Sequence, residues 1–224
     1  MDRYLRRMTD APSDRTIVRR LPERAVYDRD VVNAILDEAL ICQVGFIADG
    51  APVVIPTIHA RVGGVLYFHG SPASRMLRAM KRGLEVSVGA TIVDGLVVAR
   101  AAFHNSLNYR SVVLFGTARV IDDPDEKRLA MEAVTEHVVP GRWADSRPMT
   151  DKEAKGTLIA AIDIDEVSAK VRVGGPKDDD EDHDYPTWAG TVPLVLRAGV
   201  PEPDPLLKVG VSVPDYLTGY DRTT

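Results

Sequence analysis

The sequence predicts a mainly β fold with flanking helices, in which antiparallel strands close into a barrel. Segments rich in apolar and β-branched residues recur from residue 41 onward, and turn-forming pairs separate several of them: Asp49-Gly50, Gly63-Gly64 and Asp94-Gly95. Strands joined by hairpins build an antiparallel sheet. About seven strands in one domain favour closure into a barrel, because a closed sheet has no bare edges.

The chain before the first of these strands is predicted to form an extended arm and one helix. Residues 1–28 are polar and have little core of their own, although Thr16 to Arg20 could add a short strand. From Arg29 to Leu40 apolar residues recur at helical spacing, and Asp28 or Asp30 can cap the first turn.

The later elements follow from the same patterns. Apolar stretches bounded by turn residues predict strands at Ile41–Ala48, Ala51–Ala60, Val65–His69, Glu85–Val93, Leu96–Ala102, Tyr109–Ile121, Leu158–Ile164 and Val167–Val173. A short basic helix is predicted over Ser74–Lys81, and a longer one opens at Asp122 to Asp125 and runs to about Val138. Residues 29–173 therefore form the predicted barrel domain. Residues 174–224 are predicted to be an acidic loop and a Pro/Gly-rich tail that wraps around this domain. The acidic run Asp178–Asp184 is interpreted as a solvated loop, with a calcium site as the alternative.

Composition excludes several classes of function. The 224 residues carry a formal net charge of −5, which argues against non-specific nucleic-acid binding. No apolar run approaches the roughly 20 residues that span a bilayer, and no secretory signal is visible, so the cytoplasm is the expected location. The single cysteine, Cys42, lies in an apolar strand where a thiol is inert, and no Cys/His spacing or EF-hand pattern predicts a metal site.

Three segments carry more polar chemistry than a plain barrel needs. The first is Val54-Ile55-Pro56-Thr57. A proline inside a strand implies an edge, a bulge or an interruption, where backbone groups are free to bond a ligand. The alternative is an edge strand with a threonine on its wet face.

The second segment runs from His69 through Gly70 and Ser71 to Ser74 and Arg75. A strand ends there at a Gly/Ser loop and a helix begins, and helix N-termini hold phosphates well. The alternative is a solvated basic face. His69 itself has three interpretations: a base, a ligand contact or a turn histidine with its hydrogen bonds satisfied.

The third segment places five hydrogen-bonding residues between two apolar strands: Asn105, Ser106, Asn108, Tyr109 and Arg110. Such groups can read the edge of a planar heterocycle, and an aromatic ring can cover its face. The alternative is a polar hairpin loop.

Two stretches that contain these segments, GAPVVIPTIHARVGGVLYFHGSPASRML and ARAAFHNSLNYRSVVLFGTARVIDDPDEK, resemble FMN-binding split-barrel proteins related to pyridoxamine 5′-phosphate oxidase. The likeness is closer to the flavin-nucleotide-binding branch that includes the nitroimidazole-resistance proteins. It runs from about Thr16 to Val173, and the segment from Tyr185 to Leu194 also looks like that branch's tail. The resemblance implies an antiparallel split β-barrel that binds FMN between the two protomers of a homodimer.

The resemblance also implies roles for individual residues. Residues Val54, Ile55, Pro56 and Thr57 match the strand that lines the flavin ring, mostly through backbone groups; His69, Gly70 and Ser71 match the loop at the next strand's end; Ser74 and Arg75 match the phosphate-binding turn; Asn105, Ser106, Asn108, Tyr109 and Arg110 match a segment expected near the cofactor, from the same chain or the second one. His69 is the candidate residue on the substrate side. The sequence departs from the oxidase at Met76, where the oxidase has Lys, and lacks its closing Arg-Leu-x-Pro, which argues against vitamin B6 oxidation.

The leading functional hypothesis is an FMN-dependent oxidoreductase acting on a small molecule, in which the flavin performs the electron transfer. Two alternatives remain. One is a non-catalytic flavin- or haem-binding protein with His69 or His104 as an axial ligand. The other is a deazaflavin-dependent reductase on the same barrel.

Overall fold

The computed structural model describes residues 10–221, so any part of the predicted arm before residue 10 lies outside the described residues. Ten strands are seen in this range: β1 Ala25–Val26, β2 Ile41–Ala48, β3 Ala51–Val62, β4 Val65–Gly70, β5 Glu85–Val98, β6 Ser106–Thr117, β7 Arg119–Val120, β8 Leu158–Asp163, β9 Glu166–Arg172 and β10 Gly190–Pro193. The helices in it are α1 Arg29–Glu38, α2 Arg75–Met80, α3 Pro124–Val138, α4 Arg142–Asp145, α5 Asp151–Gly156 and α6 Asp215–Thr218.

All recorded strand pairs are antiparallel, and the sheet closes on itself. The strand order is β1-β9-β6-β5-β2-β3-β4-β8-β7, with β10 added to β5. β6 is third in this order and β7 is last, yet only Ala118 separates them in the chain, so the two sides of the sheet meet where β7 pairs with β8. The predicted barrel is therefore confirmed.

Apolar side chains from both halves of the barrel and from two helices fill its interior. The helix α1 begins at Asp28, whose carboxylate accepts hydrogen bonds from the backbone N–H groups of Asp30 and Val31. One face of α1 and most of α2 join the core of buried residues, among them Ile35, Leu36, Leu66, Phe68, Leu77, Met80, Leu114 and Ile162. A second, smaller cluster around Tyr67 and Ile159 lies beneath α3.

Two of the three predicted tight turns are confirmed. Asp49 and Gly50 connect β2 to β3 with backbone φ angles of 54° and 76°, the left-handed values that an Asp-Gly hairpin turn uses. Gly63, with φ 58°, performs the same role between β3 and β4.

The third predicted turn, at Asp94-Gly95, is wrong. The strand β5 continues through this pair with a bulge between Val93 and Gly95, and no separate strand covers Leu96–Ala102. The physical reason is the close approach of β10, since a Cβ atom on Gly95 would lie 2.8 Å from the carbonyl oxygen of Val192. The glycine therefore makes room for a neighbouring strand instead of a turn.

The ends of the described chain also differ from expectation. The strand proposed for Thr16 to Arg20 is absent. The N-terminal segment 1–28 instead contributes β1, which pairs with β9. The tail adds β10 to the barrel sheet and docks α6 against α4, where the Tyr216 hydroxyl donates a hydrogen bond of 2.6 Å to Asp145.

Among the helices of residues 10–221, none combines the length and the apolar composition of a membrane span.

Candidate functional site

The barrel is split between β3 and β4. These strands pair only over the four residues from His59 to Val62 of β3. Residues 51–58 pair with β2 alone, so their other side is a free edge within the described chain. Of the three possibilities that Pro56 implied, an edge, a bulge or an interruption, the structure shows the edge.

This free edge offers few hydrogen-bond donors. Proline occurs in strands where its nitrogen faces away from a neighbouring strand, so Pro52 and Pro56 direct their backbone toward the edge. The alternation of a strand gives Val54, midway between them, the same orientation. A planar ligand lying along the edge would therefore meet the Val54 N–H between two proline rings.

His69 lies at the end of β4, and its side chain is on the same face of the sheet as the Val54 side chain at the free edge. Ala60 of β3 pairs with Tyr67 of β4, and alternation along each strand places Val54 and His69 on the face of that pair. The Nδ1 atom of His69 is buried and has no hydrogen-bond partner among residues 10–221. Burial lowers the pKa of His69, which favours the neutral imidazole. A neutral ring with an unpartnered nitrogen can bind a metal centre or a polar ligand.

The loop after β4 presents a guanidinium group at the start of α2. Ser74 N–H donates to the Ser71 carbonyl at 2.8 Å, which forms the turn into the helix. Half of the Arg75 side chain is exposed, and its recorded ion pair is a distant one, 3.9 Å from Asp49. The guanidinium therefore keeps most of its donors for an anion.

The third predicted segment lies elsewhere in the protomer, because β5 and β2 separate β6 from β3. Its amide groups form internal hydrogen bonds. Asn105 Oδ1 accepts from the backbone N–H of Ala99 at 2.8 Å, and Asn108 Nδ2 donates to the Gly174 carbonyl at 3.1 Å. Any contact of this segment with a cofactor in the second chain stays a prediction.

Arg110, in the same segment, is held by two carboxylates. Its guanidinium donates to Glu38 at 2.5 and 2.7 Å and to Asp94 at 2.7 Å. The hydrogen bonds that Arg110 donates, first to Glu38 and then to Asp94, raise the pKa of its guanidinium. This ion cluster ties the end of α1 to the bulge of β5, and the sequence gives no periodic signal that would have joined these three residues.

His104 also has acidic neighbours. Its Nε2 lies 3.4 Å from Asp179, and one ligand atom each from His104, Asp179 and Asp182 fall within 4.8 Å of one another. The adjacent Asp178, in a run interpreted as a solvated loop, has only 1% of its side chain exposed and bonds Arg100 at 3.0 Å. His104 is thus part of the acidic loop's contacts, whereas His69 is not.

An apolar face covers the outside of β3, β2, β5 and β6. Exposed aliphatic and proline side chains surround small central residues and one exposed amide, Gln43, there: Ile41, Gly45, Ile47, Pro52, Val54, Pro56, Ser87, Gly89 and Val113. A surface cavity of about 370 Å³ opens onto this apolar face. It is continuous with the free edge of β3, because Val54 belongs to both.

Other candidate sites carry less chemistry. A larger cavity of about 810 Å³ lies among α3, α4 and α5, but its residues Arg142 and Arg147 already bond Asp145 and Glu153. Cys42 is fully buried, and burial raises its pKa to about 12, which disfavours the reactive thiolate.

Comparison with known proteins identifies the family. A family model described as pyridoxamine 5′-phosphate oxidase matches residues 28–171. The chain is 39% identical to the flavocytochrome Anf3 from Azotobacter vinelandii, with a TM-score of 0.87 over 93% of this chain and 97% of that one. It is also 39% identical to an FAD- and haem-binding protein from Mycobacterium smegmatis, with a TM-score of 0.83 over 88% of this chain and 96% of that one.

A more distant structure shares the fold. A protein from Bacteroides thetaiotaomicron described as a 5-nitroimidazole antibiotic resistance protein is 22% identical, with a TM-score of 0.56 over 66% of this chain and 86% of that one. No curated protein sequence matches the chain. The split-barrel fold and the resemblance seen in the sequence are both confirmed, and this chain belongs to the pyridoxamine 5′-phosphate oxidase family.

Proposed function

We propose that this protein is a redox flavocytochrome: a split-barrel homodimer that binds a flavin nucleotide and a haem and acts on a small molecule. The observation that carries the proposal is the buried, unpartnered Nδ1 of His69 beside the open edge of β3. The two structures with 39% identity support it, since one is a flavocytochrome and the other binds FAD and haem.

His69 is the proposed axial ligand of the haem iron. Iron ligation needs a neutral imidazole with a free nitrogen lone pair, and the lowered pKa of His69 provides the neutral form near pH 7. His104, the other candidate, already faces Asp179 and Asp182. If His104 were the axial ligand, the haem iron would compete with those carboxylates for its imidazole.

The flavin would lie along the free edge of β3 and reach the loop after β4. Val54, Ile55, Pro56 and Thr57 would line its ring, with the Val54 N–H as the edge donor. Gly70, Ser71, Ser74 and Arg75 would surround its phosphates. Within residues 10–221 Arg75 has one ion pair, 3.9 Å long, so its guanidinium can form charge-assisted bonds to phosphate oxygens. When bound, the flavin supplies the hydride or electron transfer, and these residues orient it.

The form of the flavin is the finer part of the proposal. The resemblance in the sequence implies FMN, whereas the relative from M. smegmatis binds FAD. We favour FAD, since that relative covers most of the chain at 39% identity. FMN and a deazaflavin are the alternatives that an experiment must separate.

The apolar face supports the homodimer. Exposed aliphatic side chains around a flat centre of small residues are typical of a surface that a second subunit covers. A two-fold axis would bury this face in the contact between the two copies. The proposed flavin edge would then border the interface, because Val54 belongs to both.

Absorption spectra of the purified protein, expressed with haem supplied, test the cofactors. We expect flavin bands and a Soret band, and we expect chromatography of the acid-released flavin to identify FAD. His69→Ala should lose the Soret band and keep the flavin bands, while the matched control His104→Ala should keep both. A wild-type protein that takes up neither cofactor on titration would overturn the proposal, and loss of the Soret band in His104→Ala alone would move the ligand to His104.

A further inference from the structure

Residues 194–213, here called the arm and distinct from the N-terminal segment 1–28, are exposed and connect two ends that are fixed to the protomer. The N-terminal anchor is β10, which pairs with β5 from Gly190 opposite Val98 to Pro193 opposite Gly95. The backbone N–H of Leu194 then donates to the Asp94 carbonyl at 3.1 Å. No later residue of the arm forms a recorded hydrogen bond with the barrel.

The C-terminal anchor is α6 and the residues after it. The Tyr216 ring packs on Gly141, where a Cβ atom would lie 3.3 Å from the ring. The Tyr216 hydroxyl also accepts a hydrogen bond from Arg142 at 3.1 Å, and the Tyr220 hydroxyl donates to the Val138 carbonyl at 2.8 Å. Both ends of the arm are therefore fixed to the protomer that carries it.

Between these anchors the arm packs little against the rest of residues 10–221. Every residue from 194 to 213 is exposed, and nine of them are leucine or valine. Leu206 has 91% of its surface exposed and Val200 has 89%. The hydrogen bonds recorded for residues 195–213 stay within the segment, such as Leu207 to Asp204. Fixing each backbone residue costs about 1–2 kcal/mol, and these contacts within one protomer do not offset that cost.

The composition of the arm indicates what covers it. Two cationic and two anionic residues give the arm no net charge, and the rest is largely aliphatic, so it fits an apolar protein surface better than a nucleic acid or a charged membrane. Its PEPDP stretch, residues 201–205, is held extended by proline, which reduces the entropy lost on binding.

We propose that the arm of each protomer lies against the apolar face of a second copy, so that two copies hold each other reciprocally. The apolar face offers the matching surface, with Ile47 and Val54 more than half exposed. A two-fold assembly would give each copy one arm and one face, and both would be covered at once. This inference rests on the homodimer of the proposed function and adds to it the segment that closes the interface.

Sedimentation measurements of the dimer dissociation constant test the role of the arm. The variant Val195→Ser/Leu196→Ser/Leu206→Ser removes apolar surface from the arm, and we expect the constant to rise at least about tenfold. The control Glu202→Ser/Lys208→Ser removes one charge of each sign from the same arm, and we expect less than about a twofold change. Equal effects of the two variants, or no effect of the first, would overturn the proposal.

A photo-crosslink shows which copy the arm touches. Leu206→benzoylphenylalanine is prepared in ¹⁴N and ¹⁵N forms, which are mixed, allowed to exchange subunits and irradiated. We expect crosslinks from residue 206 to peptides of β2, β3 or β6 that carry the other isotope in about half of the products. Crosslinks confined to one isotope, or none, would overturn the proposal.

The same samples separate this inference from the cofactor proposal. A monomer with flavin and Soret bands would overturn the proposed arm contact and leave the cofactor proposal standing. A dimer with crosslinks between copies but no cofactor uptake would overturn the cofactor proposal and leave the arm contact standing.

Discussion

Two polar segments of the barrel, His69–Arg75 and Asn105–Arg110, look equally suited to a ligand in the sequence and differ sharply in the structure. In the first, His69 Nδ1 has no recorded partner and Arg75 has one distant carboxylate. In the second, Asn105 and Arg110 already bond groups of their own chain. A high density of polar residues thus marks either a ligand site or a structural network, and the number of bonds left unmade distinguishes them.

The largest effect we expect comes from breaking the structural network at Arg110. Arg110→Leu removes the arginine that neutralises Glu38 and Asp94, both less than a third exposed, and should lower the free energy of unfolding by about 2–4 kcal/mol. Flavin affinity per folded molecule should stay within about twofold, because these bonds are internal. Denaturant unfolding and flavin titration give the two quantities.

Arg119→Leu is the matched control for Arg110. Arg119 has nearly half of its side chain exposed, more than Arg110, and its partner Glu126 also accepts a hydrogen bond from the Tyr67 hydroxyl, so we expect a loss within about 1 kcal/mol. A large fall in flavin affinity for Arg110→Leu, with stability kept, would instead place Arg110 at the cofactor.

Arg75→Ala should show the opposite behaviour. Flavin affinity should fall about tenfold, since a charge-assisted bond to phosphate is lost, which corresponds to about 1.4 kcal/mol. Stability should hardly change, because the ion pair with Asp49 is long and exposed. Arg78→Ala, on the same helix, serves as control, and an equal loss in both variants would point to a general basic surface.

Asn105→Ala tests the structural segment at a single hydrogen bond. The buried backbone N–H of Ala99 would lose its acceptor, so we expect a loss of about 1 kcal/mol in unfolding free energy with unchanged flavin binding. The neighbouring Ser106→Ala should leave both quantities unchanged, since Ser106 is exposed. Unchanged stability of Asn105→Ala, together with weaker flavin binding, would contradict this assignment.

The smallest effect concerns the pH dependence of the haem-free protein. Burial lowers the pKa of His69 in the folded state, so the unfolded chain takes up this proton first as the pH falls below the ordinary histidine value of about 6.5. Stability should therefore fall on acidification until the pH passes the lowered pKa, and His69→Gln should reduce this slope. Denaturant midpoints at pH 7.5 and pH 5 measure it, and identical slopes in the two proteins would refute the burial argument.

Local signals predict much of the fold because they act between neighbours in the chain. The Asp49-Gly50 turn needs only the two residues' tolerance of positive φ. Asp94-Gly95 has the same two residue types, yet it lies inside β5 because β10, a strand nearly 100 residues later, approaches Gly95. Sequence patterns carry no information about that distant contact.

The candidate site divides in the same way. The free edge at Pro56 follows from the chemistry of proline, and the loop from Gly70 to Ser74 follows from its composition. The ion pairs of Arg110 depend on Glu38 and Asp94, which are 72 and 16 positions away in the sequence. The lack of a hydrogen-bond partner for His69 Nδ1 depends on all the residues that surround it in the fold.

The contact between β10 and Gly95 determines how much of the chain is needed to keep β5 paired on both sides. The family match ends at Val171, yet residues 190–193 complete one side of β5. A chain shortened to the matched region would leave that side of β5 as an unpaired template, open to strands of other molecules. We therefore regard the tail as protection against aggregation, built into the sheet itself.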